Sequence, residues 1–317
     1  MKGPLPVKRL VLVVVAAALA WSAFWFWSAS AQRSAIEAWA EDRRADGVEV
    51  AWDDLSIDGF PNRIDTTFTG LRGSDASAGY DAEVPVLQVL QMVWNRDHVI
   101  LALPDGFSVT QGEDRYDVDA TGLRASAVQD GGALQRFNLE AEVVNVSGTA
   151  SAAMSGVTGA LRRVPDQPAY SVAFNATEFA AAGASGSGSL ALEGEAGIAP
   201  EAMGGTVTIE DLRRIRVGRL DLTQGALDLA LAADLDVAED GEIEGELTIR
   251  ADNLSAAIAA EREAGRMPSE VLTLIEGTAQ LLSGLSGRED SIDVGLEFRG
   301  GRTWLGILPI GPAPDLF

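Results

Sequence analysis

At 317 residues, 47% of them apolar and with 34 glycines, the chain is long enough for one large or two smaller domains and too apolar to be mostly disordered. It has no cysteine, which excludes disulfides, thiolate metal sites and a cysteine nucleophile. The net charge is −23, and of 24 basic residues Lys2, Lys8 and Arg9 come first, leaving 21 arginines against 47 acids, a surface that repels phosphate backbones, so no nucleic-acid partner is expected.

Leu10 to Trp27 is a run of 18 residues without a charge, about 27 Å long as a helix at ~1.5 Å per residue. Lys2, Lys8 and Arg9 precede it, and Trp21, Phe24, Trp25, Phe26 and Trp27 crowd its far end. By the positive-inside rule residues 1–9 form a cytoplasmic start, and the aromatics sit at the opposite interface. The sequence therefore predicts a transmembrane helix over 10–29 and a helical stalk over 30–47, where Ile36, Trp39 and Ala40 keep helical spacing before Gly47 stops it. Ala29-Ser30-Ala31 also fits a signal-peptide cleavage pattern. The length of the apolar run and its bulky end favour a retained anchor, and the cleaved form stays the alternative.

Residues 48–317 read as a single β-rich periplasmic domain. Alternation appears in Val48-Val50-Trp52, Ile64-Thr66-Phe68, Tyr116-Val118-Ala120, Leu139-Ala141-Val143, Tyr170-Val172-Phe174, Leu190-Leu192, Val207-Ile209 and Ile292-Val294-Leu296-Phe298. The clearest strand is 227–237, with Leu227, Leu229, Leu231, Ala233, Leu235 and Val237 on one face and Asp228, Asp234 and Asp236 on the other. Asp240-Gly241 supplies the turn to a return strand carrying Ile243, Leu247 and Ile249, which makes a half-buried antiparallel hairpin. Asn253 and Pro268 are helix-start signals, so 253–284 is expected to be a helical hairpin packed on the sheet. Thr69-Gly70-Leu71-Arg72 recurs as Thr121-Gly122-Leu123-Arg124, 52 positions later, with Glu210-Asp211-Leu212-Arg213 as a degraded third copy. The echo points to a reused strand-and-turn unit.

The chemistry of a catalytic centre is not visible. His98 is the only histidine, beside an expected turn, and no phosphate loop or nucleophile elbow occurs. The acidic runs Asp236–Gly241 and Asp117–Gly122 fail as calcium loops, because Leu247 and Val128 stand where the bidentate glutamate belongs. The acids fit the wet face of a sheet better. Neither a catalytic residue, a cofactor nor a metal site is assigned.

One motif stands out: Gly59-Phe60-Pro61-Asn62-Arg63, between two expected strands. Glycine and proline suit a tight reversal, Phe60 is expected to plug the end of an apolar layer, and Arg63 is expected to pair with a nearby acid such as Asp58 or to meet an anionic headgroup. The stretch from Asp53 to Leu71, the aromatic end of the anchor and the tail Leu305–Pro314 resemble an uncharacterised, mostly alphaproteobacterial family of membrane-anchored envelope proteins. That resemblance implies a location and an architecture and transfers no active residue. A Gly-Phe-Pro turn between early strands is also similar to AsmA-like and other periplasmic lipid-handling proteins, at the level of fold alone.

The expectation is a mostly β protein: an N-terminal transmembrane helix, then a long curved antiparallel sheet with a late helical hairpin. Its expected role is non-enzymatic, single-pass in the inner (cytoplasmic) membrane, binding lipid or another apolar envelope component in a sheet groove. The alternative is a structural or protein-interaction module of the envelope without a small ligand.

Overall fold

Neither glycine nor proline interrupts the sequence from Val7 to Ala45, and the computed structural model shows that stretch as one unbroken helix, α1 (Val7–Ala45). The structure describes residues 7–181, 186–204, 207–253, 255, 258–259, 262 and 291–316. α1 ends where Gly47 takes a φ of +89°, a backbone that side-chain-bearing residues avoid. Its first half, Leu10 to Leu19, is exposed throughout, and the helix is long and apolar enough to cross a membrane. Its second half lies on protein.

The chain divides into two compact units, 1–117 and 118–317. The first contains α1 and strands β1 (Val48–Ala51), β2 (Asp54–Asp58), β3 (Arg63–Asp75), β4 (Tyr80–Met92), β5 (Asn95–Ala102) and β6 (Phe107–Gln111). The long β3 is its spine. One edge of β3 pairs with β2 (Leu55 opposite Phe68) and then β1 (Val50 opposite Gly73), and the other edge pairs with β4. β4 in turn pairs with β5 and β6 along its far edge. The alternation read in Ile64, Thr66 and Phe68 holds, since all three are buried while Arg63 and Thr69 are exposed. α1 packs on β1 and β2, and Ala40 of the helix, Val50 of β1 and Leu55 of β2 are all buried.

β7 (Asp114–Thr121) carries the chain into the second unit. There β8 (Arg124–Asp130), β9 (Ala133–Gly148), β10 (Ala152–Arg163), β11 (Ala169–Ala181), β12 (Gly188–Ile198), β13 (Leu212–Gln224), β14 (Leu227–Val237), β15 (Ile243–Asp252), β16 (Ser291–Arg299), β17 (Arg302–Leu305) and β18 (Leu308–Pro312) follow. Each pairs antiparallel with the next, so the unit is one long meander. The hairpin of β14 and β15 has the expected strands, with Leu231 opposite Ile249 and the turn at Asp240-Gly241.

Register aligns the apolar positions into rows that cross the strands. One row runs Leu139, Gly159, Phe174, Leu192, Leu220, Leu231, Ile249 and Val294, from β9 to β16. The next row along contains Phe137, Leu161, Val172, Gly194, Val217, Ala233, Leu247 and Leu296. The opposite face carries Glu193, Arg219, Asp234, Thr248 and Asp293, all exposed. Two clusters seal one end of these strands: Tyr170, Ile198 and Met203, and Val237, Ile243 and Phe298. Away from that end most of the apolar face is only half-buried.

Three sequence expectations need correction or limits. Val207 and Ile209 are not a strand: Ile209–Asp211 is a 3-10 turn. It is held because Asp211 accepts hydrogen bonds from the Thr208 backbone N–H (2.7 Å) and hydroxyl (3.0 Å), a local alternative to a sheet ladder. The alternation in β9 slips after Ala141, so that Val143 is exposed and Val144 buried. On the neighbouring β10, between the partners of Ala141 and Val143, Gly156 has a φ of +57°, and a Cβ there would lie 2.3 Å from the Thr177 hydroxyl, while the β9–β10 register continues without a shift. The expected helical hairpin at 253–284 falls almost wholly outside the described residues.

The repeated Thr-Gly-Leu-Arg shares a glycine conformation as well as letters, although the first copy lies inside β3 and the second bridges β7 and β8. Gly70 and Gly122 have φ values of +60° and +68°, and Arg72 and Arg124 each pair with an acid across the strands, Asp53 and Glu140. The third copy begins in the 3-10 turn and is built differently.

The rows predict asymmetric tolerance. Leu231→Asp should cost about 1–3 kcal/mol, because it sets a carboxylate among Leu220 and Ile249. Ala232→Asp, on the exposed face, should change stability by under about 0.5 kcal/mol. Denaturant unfolding of the detergent-solubilised protein checks both, and equal losses would contradict the facing.

Candidate functional site

The Gly59–Arg63 motif is the turn between β2 and β3, and three neighbours hold it. Within the turn, the Arg63 N–H donates to the Gly59 carbonyl at 2.9 Å. Gly59 has a φ of +101°, and a Cβ there would sit 2.9 Å from the Arg63 carbonyl oxygen and 3.0 Å from the Asp65 carboxyl carbon. Only glycine fits. The Phe60–Pro61 peptide is cis. From the β4–β5 turn, the Val93 N–H donates to the Asn62 carbonyl at 3.1 Å.

The third neighbour is the helix. The Trp21 indole N–H donates to the Pro61 carbonyl (2.9 Å) and the Trp25 indole N–H to the Arg63 carbonyl (2.7 Å). Trp25 is 5% exposed and packs with Ile64 and Val93. Further along α1, Arg33 donates to the Leu55 carbonyl (2.6 Å), and Arg44 donates through Nε and Nη2 to the Val50 carbonyl. The helix thus satisfies backbone acceptors that a lone β2–β3 corner would leave bare.

Phe60 is not the plug the sequence led one to expect. It is 52% exposed, edge-on to Trp25 (centroids 5.6 Å apart) and stacked on Phe26 (6.0 Å). Ile64 and Trp25 fill the core instead, because the helix arrives at the corner and brings its own large side chain. Arg63 pairs with Asp65 at 2.5 Å, its same-face neighbour on β3, rather than with Asp58, which lies across the ladder from Asp65. Asn62 is exposed. The sequence signal for Trp25 as a core residue was a tryptophan in an otherwise lipid-suited run.

The other candidates scatter. His98 is exposed on β5. Asp117 pairs with Arg115 at 2.9 Å and Asp236 with Arg214 at 3.2 Å, which places the two acidic runs on the wet face among arginines. Among the described residues no group of three or more acids and histidine is placed to hold a metal. Arg72 hydrogen-bonds to Asp53 and, with its charge, holds that carboxyl below the usual range. Asp211 is lowered by the Thr208 N–H and hydroxyl, and both carboxyls are surface groups.

The chain belongs to the family described as "Uncharacterized protein conserved in bacteria (DUF2125)", which matches residues 25–314 and so takes in the aromatic end of α1, the corner and the strands of both units. Comparison with curated proteins and with solved structures finds no match to either.

Trp25→Ala should cost about 3–5 kcal/mol through lost packing on Ile64 and Val93. Phe60→Ala should cost under about 1.5 kcal/mol, since half of the ring is already exposed. Near-ultraviolet circular dichroism followed through denaturation ranks the two, and a reversed order would put the plug back at Phe60.

Proposed function

We propose that this is a non-enzymatic protein of the bacterial envelope, held in the inner membrane by a retained α1 with the bulk of the chain in the periplasm. On this reading the apolar face of the second unit's sheet takes lipid acyl chains or another apolar envelope component. The supporting observation is the row Leu139, Phe174, Leu192, Leu220, Leu231 and Ile249, each half-buried, on consecutive or near-consecutive strands. At ~4.8 Å per strand, the row from β9 to β16 is about 34 Å long. An acyl chain spans about half of a ~30 Å hydrocarbon core, so the row is long enough for one laid across the strands. The Gly59-Phe60-Pro61 turn, similar to that of AsmA-like lipid-handling proteins, points the same way at the level of fold.

Retention of α1 is supported by what cleavage after Ala31 would remove. Trp21, Trp25 and the fully buried Ser28 all precede that bond, and without them Ile64 and Val93 lose their cover. The family match also starts before it, at residue 25. The non-enzymatic part of the reading draws on the scatter of the titratable groups over the wet faces.

A second reading, a protein-docking module, draws on the β17–β18 hairpin. Ile307 at its tip is 89% exposed, Leu308 and Ile310 follow on β18, and a strand edge of that kind can pair with another chain.

Native mass spectrometry of the detergent-extracted protein separates the two readings. Lipid adducts on the wild type, reduced by Leu192→Gln with Leu231→Gln, are the expected result. A folded, adduct-free wild type would favour docking. The same spectra give the intact mass, which should include residues 1–31. A mature N-terminus at Gln32 would contradict retention.

A further inference from the structure

We infer that the β2–β3 corner and the β4–β5 turn are themselves membrane-seated, forming with the end of α1 a collar that sits in the interface of the phospholipid leaflet next to the protein's bulk. This rests on the anchoring half of the function proposed above and not on lipid binding by the sheet.

Depth carries the argument. The Trp21 and Trp25 indoles bond to the carbonyls of Pro61 and Arg63, so the corner lies beside that part of the helix. Trp21 is six residues short of Trp27, the end of the uncharged run, which is about 9 Å at ~1.5 Å per residue. A hydrocarbon core ~30 Å thick needs about 20 residues, so a span begun at Val7 reaches Phe26 and one begun at Leu10 reaches Ala29. Either span covers Trp21 and Trp25. A bilayer that accepts the apolar run must therefore meet the corner as well.

The corner is built for that meeting. Phe60 is stacked on Phe26, and Trp94, 59% exposed, lies with its ring 6.3 Å from that of Trp21. Met92, Phe26 and Trp27 add further exposed apolar surface. In water this patch is a cost; at a headgroup boundary it is covered. The residues flanking it include Asn62, Arg63, Asn95 and Arg96, with the acids Asp58 and Asp97 just beyond them, all exposed. Aromatic rings beside amide and guanidinium groups are the side chains that interfaces favour, and Arg96 is the arginine here to reach outward to phosphate. The acid nearest the corner's arginine, Asp65, is already paired with it, which lowers the charge repelling anionic lipid. The collar makes the anchor a three-point attachment, and it fixes the tilt of the first unit on the membrane.

The absence of native cysteine makes the test direct. Single-cysteine variants Phe60→Cys, Met92→Cys and Trp94→Cys of the full chain are labelled with bimane and reconstituted in phosphatidylethanolamine–phosphatidylglycerol vesicles doped, in parallel samples, with a lipid nitroxide near the carbonyl level or near the acyl-chain end. Leu19→Cys marks the anchor. Glu49→Cys marks water, because its neighbour Val50 bonds to Arg44, 17 residues and about 25 Å past Trp27. The expected result is a blue shift with quenching by the carbonyl-level nitroxide at 60, 92 and 94, quenching by the chain-end nitroxide at 19, and no quenching by either at 49. Quenching at 19 but none at 60, 92 and 94 would overturn the collar and leave the anchor standing. No quenching at 19 would overturn both.

Discussion

One buried tryptophan ties the first unit together. Trp25 fills the space over Ile64 and Val93, and its indole N–H satisfies the Arg63 carbonyl at the point where β3 begins. A ring of that size in the middle of an apolar helix couples two jobs that are usually separate. From Leu10 to Leu19 the side chains of α1 are exposed throughout, and downstream of Trp25 Arg33, Ala40 and Arg44 lie on β1 and β2. The stretch long and apolar enough to cross a membrane and the fold core are consecutive turns of one helix, so on the proposed reading the anchor is a structural member and not a tether.

The second unit follows a different rule. Its stability comes from register, which turns period-two alternation into apolar rows running strand to strand. The ion pairs on the other face, such as Arg214 with Asp234 and Arg219 with Asp221, are surface contacts of small individual value. They keep a strongly acidic sheet from repelling itself, which matters more for a wide single face than for a closed core. The rows end in packed clusters at one end of the strands and stay half-covered elsewhere, and that contrast is the basis for assigning the face to an apolar ligand.

Strands with strict alternation were legible from residues alone. β14 has the predicted limits and the hairpin the predicted turn, because Leu and Val alternating with Asp admit only one facing. Val207-Ile209 misled, since two β-branched residues alternate by chance and the Thr208–Asp211 hydrogen bonds decide the local backbone. β9 misled at Val143, where the burial alternation changes beside a positive-φ glycine on the neighbouring strand, with no signal in β9 itself. The corner was visible as Gly-Phe-Pro, but not its occupant: Phe60 and Trp25 are both large aromatics, and only the approach of α1 decides which is covered. Sequence periodicity reports a residue's own element. It is silent on which distant element arrives.

The account stands or falls on whether α1 and the corner are one structure. Backbone hydrogen exchange of the full chain in detergent, wild type against Trp25→Ala, tests this at two amides: Arg63, bonded to the Gly59 carbonyl, and Val93, bonded to the Asn62 carbonyl. The account predicts that both lose protection in the variant, while amides of the β14–β15 hairpin keep theirs. Unchanged protection at Arg63 and Val93 would show that the corner folds without the helix, and would contradict it.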